Sequence, residues 1–381
     1  MASTVLVIVR GPPCRQNSRS LWERAGEREK TPSLLQIERL SRNHSGVTNA
    51  SSAAAFPDVA TQPDKGIEIG NQESVPLEES DGRSSFVLAS YNIRYAVGRY
   101  LISSGLLRKA GLNLPRPRPD AVARNVTTAA QAFLESVLLP RPDILALQEA
   151  DKATGRAGGQ HVAAKLAAEM GMRFVHVGAG IPRGVAPEQR EWWLNFEEQI
   201  ALNDPGDTGI ALLSLLPLSN INRIDLPWHK CAWRPRLAMG ATFELAGKRV
   251  RLFNVHVDPH GPLDNQHQQV EALLQHAEQY DGPGLIAGDF NTLSKRKAVE
   301  IRRLMESRGY STPFPTGTPT WRGAGLRFHA DWIFVNGLSI KRWGVVRPLN
   351  VSDHWPIWAE VTLPISDCQL PNASDQSAKP E

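Results

Sequence analysis

Apolar and polar positions alternate with a period of two in "FVLASYNIRY", which predicts a strand from Ser85 ending near Asn92. Residues 96–119, "VGRYLISSGLLRKAGLNLPRPRP" at their heart, form a basic connection that turns Pro-rich. The spacing then changes. Val122, Val126, Ala130, Phe133 and Val137 recur at helical intervals, with Asp120 as the expected N-cap and Pro140 as the stop. "DILALQEAD" reads as a short buried strand, and "QHVAAKLAAEM" as a helix closed by Gly171. Strands follow at "RFVHVG", "GIALLS", "RLAMGATFELAG" and "KRVRLFNVHV", the last two joined by a hairpin at Gly247-Lys248. Helices are expected near 265–279 and 297–308, around the strand "GLIAGDF". The chain then runs through "ADWIFVN", "SIKRWGVV" and "PIWAEVTL". Hairpins and crossovers both occur, so the order predicts mixed sheets with helices outside, in one domain over about 85–365.

Composition changes the picture mainly at the ends. Residues 1–80 are rich in Ser, Asn, Glu, Gln and Pro and bury too little apolar surface to offset their ordering entropy. They are expected to be disordered, and 366–381 to be a flexible tail. "MASTVLVIVRGPPC" lacks a basic leader and a small-residue cleavage site, so a cytoplasmic location is expected over secretion. No apolar run approaches the roughly 18 residues of a transmembrane helix. Cys14, Cys231 and Cys368 give neither a disulfide framework nor zinc spacing. The formal net charge of +4 favours anionic partners.

The candidate chemistry lies at strand ends. Asn92, Glu149, His256, Asp258, Asp289 and Asn291 close strands, Asp331 opens one, and Asp353 and His354 precede one. A single Asp-x-Asn such as 289–291 is as well explained by an Asx turn. Recurrence at so many strand ends predicts one site assembled on a rigid scaffold. Carboxylates and carboxamides without clustered cysteine suit a hard cation, Mg²⁺ first, with Mn²⁺ as its substitute. With two histidines and a carboxylate base, that set suits hydrolysis at phosphorus. Nucleophilic serine or cysteine chemistry finds no motif.

"YNIR", "PDILALQEAD", "TGIALLS", "FNVHVDPHG", "AGDFNT", "HADWIFV" and "SDHWPI", in this order, resemble the endonuclease/exonuclease/phosphatase superfamily of DNase I-like metal-dependent phosphoesterases. The resemblance extends over about 86–362. It implies a four-layer α/β sandwich, two packed mixed sheets flanked by helices, with the site at one rim. It further implies that Glu149 is the principal Mg²⁺ ligand, beside Asn92 and assisted by Asp353. Asp289 would orient or deprotonate the attacking water, and Asn291 would hold the phosphate or a metal-bound oxygen. His256 and His354 would donate to phosphoryl oxygens, with Asp331 orienting a catalytic histidine. Arg236 matches a family arginine and is a candidate substrate contact, although a solvated strand-edge arginine fits equally.

The motif pattern departs from the family where Ile210 and Leu215 stand for Asn and Arg of "GNAILSR", which leaves that strand's substrate contacts open. The inositol-polyphosphate and abasic-site branches lack their signatures here. Asp258, before Pro259, reads as a turn residue, and His260 and His267 as surface residues beside a connection. His229 and Trp228 are candidates for the rim. The expected substrate is an anionic phosphoester, nucleic acid first, because Arg99, Arg108, Lys109, Arg116, Arg118 and Arg124 could meet a polyanion. The alternative is a phospholipid head group or membrane-linked phosphoester, with Trp192, Trp193, Trp228 and Trp233 at an interface. A monomer is expected. An inactive binding module would show losses at the metal and base positions, and none is present.

Overall fold

The computed structural model describes residues 66–70, 83–98, 118–181, 200–228 and 234–364, save Leu138, Leu202, Ala324 and Pro348. Near-continuous burial in the central strands has a simple cause: each sheet is covered on both sides. In β2 (Ser85–Asn92), Phe86 and Leu88 face one apolar cluster while Ala89 and Tyr91 face the other. β3 (Ile144–Gln148) divides the same way, with Ile144 and Ala146 against Leu145 and Leu147. A period of two on doubly covered strands produces these near-continuous apolar runs.

Seven strands form the first sheet, in the order β1 (Ile67–Gly70), β4 (Arg173–Gly178), β5 (Gly209–Ser214), β3, β2, β14 (Ile357–Thr362), β13 (Ser339–Val345). Five form the second: β12 (Asp331–Asn336), β9 (Gly284–Asp289), β8 (Lys248–His256), β7 (Leu237–Leu245), β6 (Ser219–Asp225). Both sheets are mixed, with the parallel pairs β2–β3 and β8–β9. A short hairpin, β10 (Trp321–Gly323) with β11 (Leu326–Phe328), stands apart. Phe86, Ile144 and Leu212 of one sheet meet Phe243, Leu252 and Leu285 of the other in a common core. Helices α1 (Arg118–Glu135) and α2 (Val162–Met170) cover the first sheet through Val126, Phe133 and Leu166. Helices α3 (Leu263–Ala277) and α4 (Lys295–Ser307) supply Val270, Leu273, Ile301 and Met305 to the core of the second. The architecture is the four-layer α/β sandwich.

Several local expectations are corrected. Within the segment expected to be disordered, Ile67–Gly70 is a strand paired antiparallel with β4. Apart from Gly66, the other residues of 1–80, like 366–381, lie outside the described ones. Helix α1 already includes Arg118, so Asp120 sits in its first turn rather than capping it. It ends at Glu135, which leaves Val137 97% exposed instead of on the buried face. The β7–β8 turn is Ala246-Gly247, both at positive φ, one residue earlier than the expected Gly247-Lys248. Strand β6, "SNINRID", escapes a hydrophobicity reading because Ile224 alone is buried among its residues. No helix among the described residues is long and apolar enough to cross a membrane.

Candidate active site

The strand pairing of the second sheet aligns three of the expected residues. His256 of β8 is in register with Asp289 of β9, and Asp289 with Asp331 of β12. Paired positions share a face of the sheet, so the three side chains form a row. Gly288 makes this possible. Its φ is +148°, and a Cβ there would fall 2.0 Å from the Val255 carbonyl oxygen, so a side chain would force β9 away from β8.

From the facing sheet, Asn92 at the end of β2 donates its Nδ2 to Oδ2 of Asp289 at 2.9 Å. The other carboxylate oxygen accepts the Asn291 backbone N–H at 2.8 Å. Asp289 therefore does close an Asx turn, yet Oδ2 is left to the site. Asn291 stands at φ +50°, a left-handed conformation that Asn tolerates, and its Nδ2 donates to the Val257 carbonyl at 2.9 Å.

His354, just before β14, lies with Nδ1 at 2.9 and 3.1 Å from the two oxygens of Asp331. Its Nε2 is 3.6 Å from Oδ2 of Asp289, and Nε2 of His256 is 3.7 Å from the same oxygen. Two imidazole nitrogens thus flank one buried carboxylate oxygen at separations too long for direct hydrogen bonds. Burial pushes the Asp289 pKa well above the usual carboxylate range; Asp331 adds to the rise and His354 opposes it. Burial alone would lower the His354 pKa, but the carboxylates of Asp331 and Asp289 outweigh it and raise the value. The arrangement favours an imidazolium at His354 beside a carboxylate poised to hold or release a proton.

Arg236 is not the solvated strand-edge residue considered above. It is 2% exposed and places a guanidinium nitrogen 2.8 Å from Nε2 of His256. The same guanidinium nitrogen is 3.3 Å from Nδ1; a guanidinium only donates, so the ring nitrogen it bonds is an acceptor. Arg236 is a buried cationic donor beside His256. Asp258 behaves as a turn residue, with Oδ1 accepting the His260 N–H at 2.9 Å. Gln269 and Gln266 of α3 bind the backbone of the same loop, at Asp258 N and O respectively, each at 2.8 Å. His267 lies near the start of α3, beside that loop, and is half-buried.

Glu149 follows β3 at φ +52°, strained for a non-glycine residue. Its Oε1 accepts from Arg234 at 2.8 Å and is 3.8 Å from Nε2 of His256. Asp353 takes a different position from Glu149: Oδ2 accepts from Trp321 Nε1 at 3.1 Å and is 3.5 Å from Arg94. Burial would raise its pKa, but Arg94 and His354 bring it below the ordinary value. The expected metal ligands come from three neighbouring strands, β3, β2 and β14, at their site ends. The described residues around them offer hard carboxylate and carboxamide oxygens and no sulfur, which fits a small divalent cation. Asp289, Asp331 and His354 also bring one ligating atom each within 4.8 Å of one another.

Four functional neighbours were not singled out from sequence. Arg94 holds Asp353, and Arg234 holds Glu149. Ser352 Oγ donates to the Asn92 carbonyl at 2.8 Å and accepts the His354 N–H at 3.1 Å, tying β2 to the histidine loop. Beneath the site, Gln148 Nε2 donates to Asn254 Oδ1 at 2.8 Å, a buried link between the sheets. Arg234 had a usable signal, since Arg234 and Arg236 are two apart and alternate positions of an extended chain share a side. Both line a recess with Thr208, Ile210 and His256. Of the residues expected at a rim or basic face, Arg99, Arg108, Lys109, Arg116, Trp192, Trp193, His229 and Trp233 lie outside the described ones. Trp228 is 42% exposed. Arg118 donates to the Arg156 carbonyl at 3.1 Å, and Arg124 is exposed on α1.

Residues 89–354 match the Endonuclease/Exonuclease/phosphatase family. A UPF0294 protein of Vibrio vulnificus (strain YJ016) is 26% identical over 149 residues, 36% of this chain and 48% of the relative. A UPF0294 protein of Vibrio parahaemolyticus is likewise 26% identical, over 148 residues and the same shares. The chain spans about half the length of the curated relatives it matches. Among solved structures, an endonuclease/exonuclease/phosphatase from Beutenbergia cavernae superposes with a TM-score of 0.50 and 16% identity, over 74% of this chain and 72% of the other.

Proposed function

The chain belongs to the endonuclease/exonuclease/phosphatase family, and from that premise we propose that it is a Mg²⁺-dependent phosphodiesterase in which Asp289 orients and deprotonates the attacking water. Family membership supports hydrolysis of a phosphoric ester; the activity, the diester, the metal and the residue roles are our reading. The observation that carries it is Oδ2 of Asp289, held by Asn92 at 2.9 Å and flanked by His354 and His256 at 3.6 and 3.7 Å.

In this reading Asp289 accepts the proton of a water aimed at phosphorus, its raised pKa matching the task near neutral pH. Asn92 and the Asn291 N–H fix the carboxylate, so its direction is set before substrate arrives. His354, kept protonated and oriented by Asp331, donates Nε2–H to a phosphoryl oxygen as charge grows there. Arg236 adds a second cationic donor on the His256 side. Glu149 and Asn92, with Asp353 nearby, would hold the metal. When bound, a divalent cation there would polarise a phosphoryl oxygen and neutralise developing charge.

Nucleic acid is the favoured substrate. A sequence pI near 9.0 and two buried arginines in one recess suit a polyanion better than a neutral surface. A panel of plasmid DNA, RNA, sphingomyelin vesicles, inositol phosphates and a bis-aryl phosphate, each with Mg²⁺, Mn²⁺ or EDTA, tests the reading. It expects metal-dependent turnover of a diester, strongest on nucleic acid and weakened by salt. Turnover that persists in EDTA, or that is confined to monoesters or lipid, contradicts it.

A further inference from the structure

Three segments meet at the outer edge of the seven-stranded sheet with chemistry that the phosphoesterase site does not use. Glu68 of β1 is in register with His176 of β4, and His161 is the N-cap of α2. One ligating atom from each of the three lies within 4.8 Å of the others. The two imidazoles stand edge to face with ring centres 5.0 Å apart. We propose that Glu68, His161 and His176 form a second cation site, selective for zinc-type metals, that fastens strand β1 to the sheet.

The donor set decides the metal class. Two imidazoles and one carboxylate suit zinc, cobalt or nickel, whereas Mg²⁺ and Ca²⁺ require mostly oxygen. Tetrahedral zinc with ligands at about 2.1 Å needs donor atoms about 3.4 Å apart, so the three groups must close in modestly. Glu68 can follow, because its side chain is 35% exposed. His176 is fixed: its Nε2 lies 2.8 Å from the Ala150 carbonyl and donates to it, which leaves the lone pair on Nδ1. Burial lowers the pKa of both histidines, His176 to about 4, so a cation meets neutral rings at neutral pH.

Two existing contacts oppose the metal. His161 Nε2 now faces Glu68 at 3.0 Å while Nδ1 accepts the Ala164 N–H at 3.4 Å. A cation on Nε2 moves the proton to Nδ1 and gives up that long cap bond. Lys152 Nζ sits 2.8 Å from Glu68, but its side chain is 46% exposed and free to swing into solvent. An ammonium so placed sets the affinity: it competes with the cation for one carboxylate.

Zinc uptake by the full chain, after chelator treatment, is measured by equilibrium dialysis, and Co²⁺ by visible absorption. One zinc ion per chain, not displaced by millimolar Mg²⁺, is expected to be held at this site. His161→Asn, which preserves the helix cap, and Glu68→Gln should each weaken it by at least about tenfold, a missing ligand costing no less than a missing supporting contact. Lys152→Met should tighten it, and the tetrahedral Co²⁺ bands should vanish in His161→Asn. If His161→Asn fails to fold, the comparison rests on Glu68→Gln, whose site is partly exposed. No zinc uptake, or equal uptake by wild type and both ligand variants, overturns the proposal. None of these readings uses hydrolysis, so their failure leaves the phosphodiesterase reading standing, and the converse holds.

Discussion

Asn92 and Asp289 belong to different sheets, 197 residues apart in sequence, and share a buried 2.9 Å hydrogen bond that joins the two sheets at the site rim. The bond keeps the amide on the same oxygen that the two imidazoles flank. Asn92→Asp replaces a donor with a second carboxylate, and a like charge raises a neighbouring carboxylate's pKa further. The acid limb of the kcat profile should move to higher pH, with kcat reduced at every pH. An unmoved limb would show that Asn92 does not act through Asp289.

Asp331→Asn removes the charge that orients His354. Loss of an orienting carboxylate from a catalytic histidine lowers kcat, here by about 10²-fold or more by analogy with other acid–base groups. The His354 pKa is raised in the fold, so its contribution to stability is fully present below the unfolded value of 6.5 and is lost as pH rises through the folded one. Melting temperatures from pH 6 to 10 should fall in wild type and fall less in the variant. Parallel profiles would count against the ion pair.

Glu149→Gln keeps shape and discards the charge a hard cation requires. Calorimetric Mg²⁺ titration should show weaker binding, with the far-UV spectrum unchanged. Wild-type affinity would remove Glu149 from the metal site. Arg234, now on Oε1, should lose its ion pair in the same variant.

Two other histidines predict acid sensitivity. Burial depresses His176 to about 4 and His329 to about 3, against 6.5 unfolded. The unfolded chain therefore takes up protons that the fold excludes, and stability is lost as pH falls from about 6.5 towards 4. For His176 the shift corresponds to roughly 3 kcal/mol at most. His176→Gln in EDTA should flatten the acid limb of melting temperature against pH, and an unchanged limb would assign the loss elsewhere.

Much of this fold was legible because the strands are covered on both faces. Runs such as "ILALQ" and "GLIAG" leave little choice but a buried strand, and the polar residue at each end then stands out. Strands β1 and β6 were not legible, since an edge strand needs few apolar positions and β1 draws its pairing from β4, about a hundred residues away. At the site, resemblance gave Asp331 a histidine partner without saying which, and the structure shows it to be His354 at 2.9 Å. The Arg236–His256 contact could not be foreseen. Sequence places an arginine near a strand start but does not say whether its guanidinium meets solvent or a ring nitrogen. Sequence grouped Asp353 with Glu149 but could not show that its carboxylate also lies beside the Arg94 cation and accepts the neutral Trp321 indole N–H, both supplied by segments distant in sequence.

The central claim is that Asp289 acts on the water proton, and the most direct measurement is kcat per folded molecule of Asp289→Asn, with melting temperature alongside. Asn can keep the turn to Asn291 but cannot also accept from Asn92, so the melting temperature is read alongside to count folded molecules. An interaction made mainly in the transition state lowers kcat and kcat/KM together. The account predicts a loss on the order of 10²-fold or more in kcat with KM little changed, as for a lost general base. If Asp289 only closed a turn, the folded variant would turn over at a near-normal rate, and that result would contradict the account.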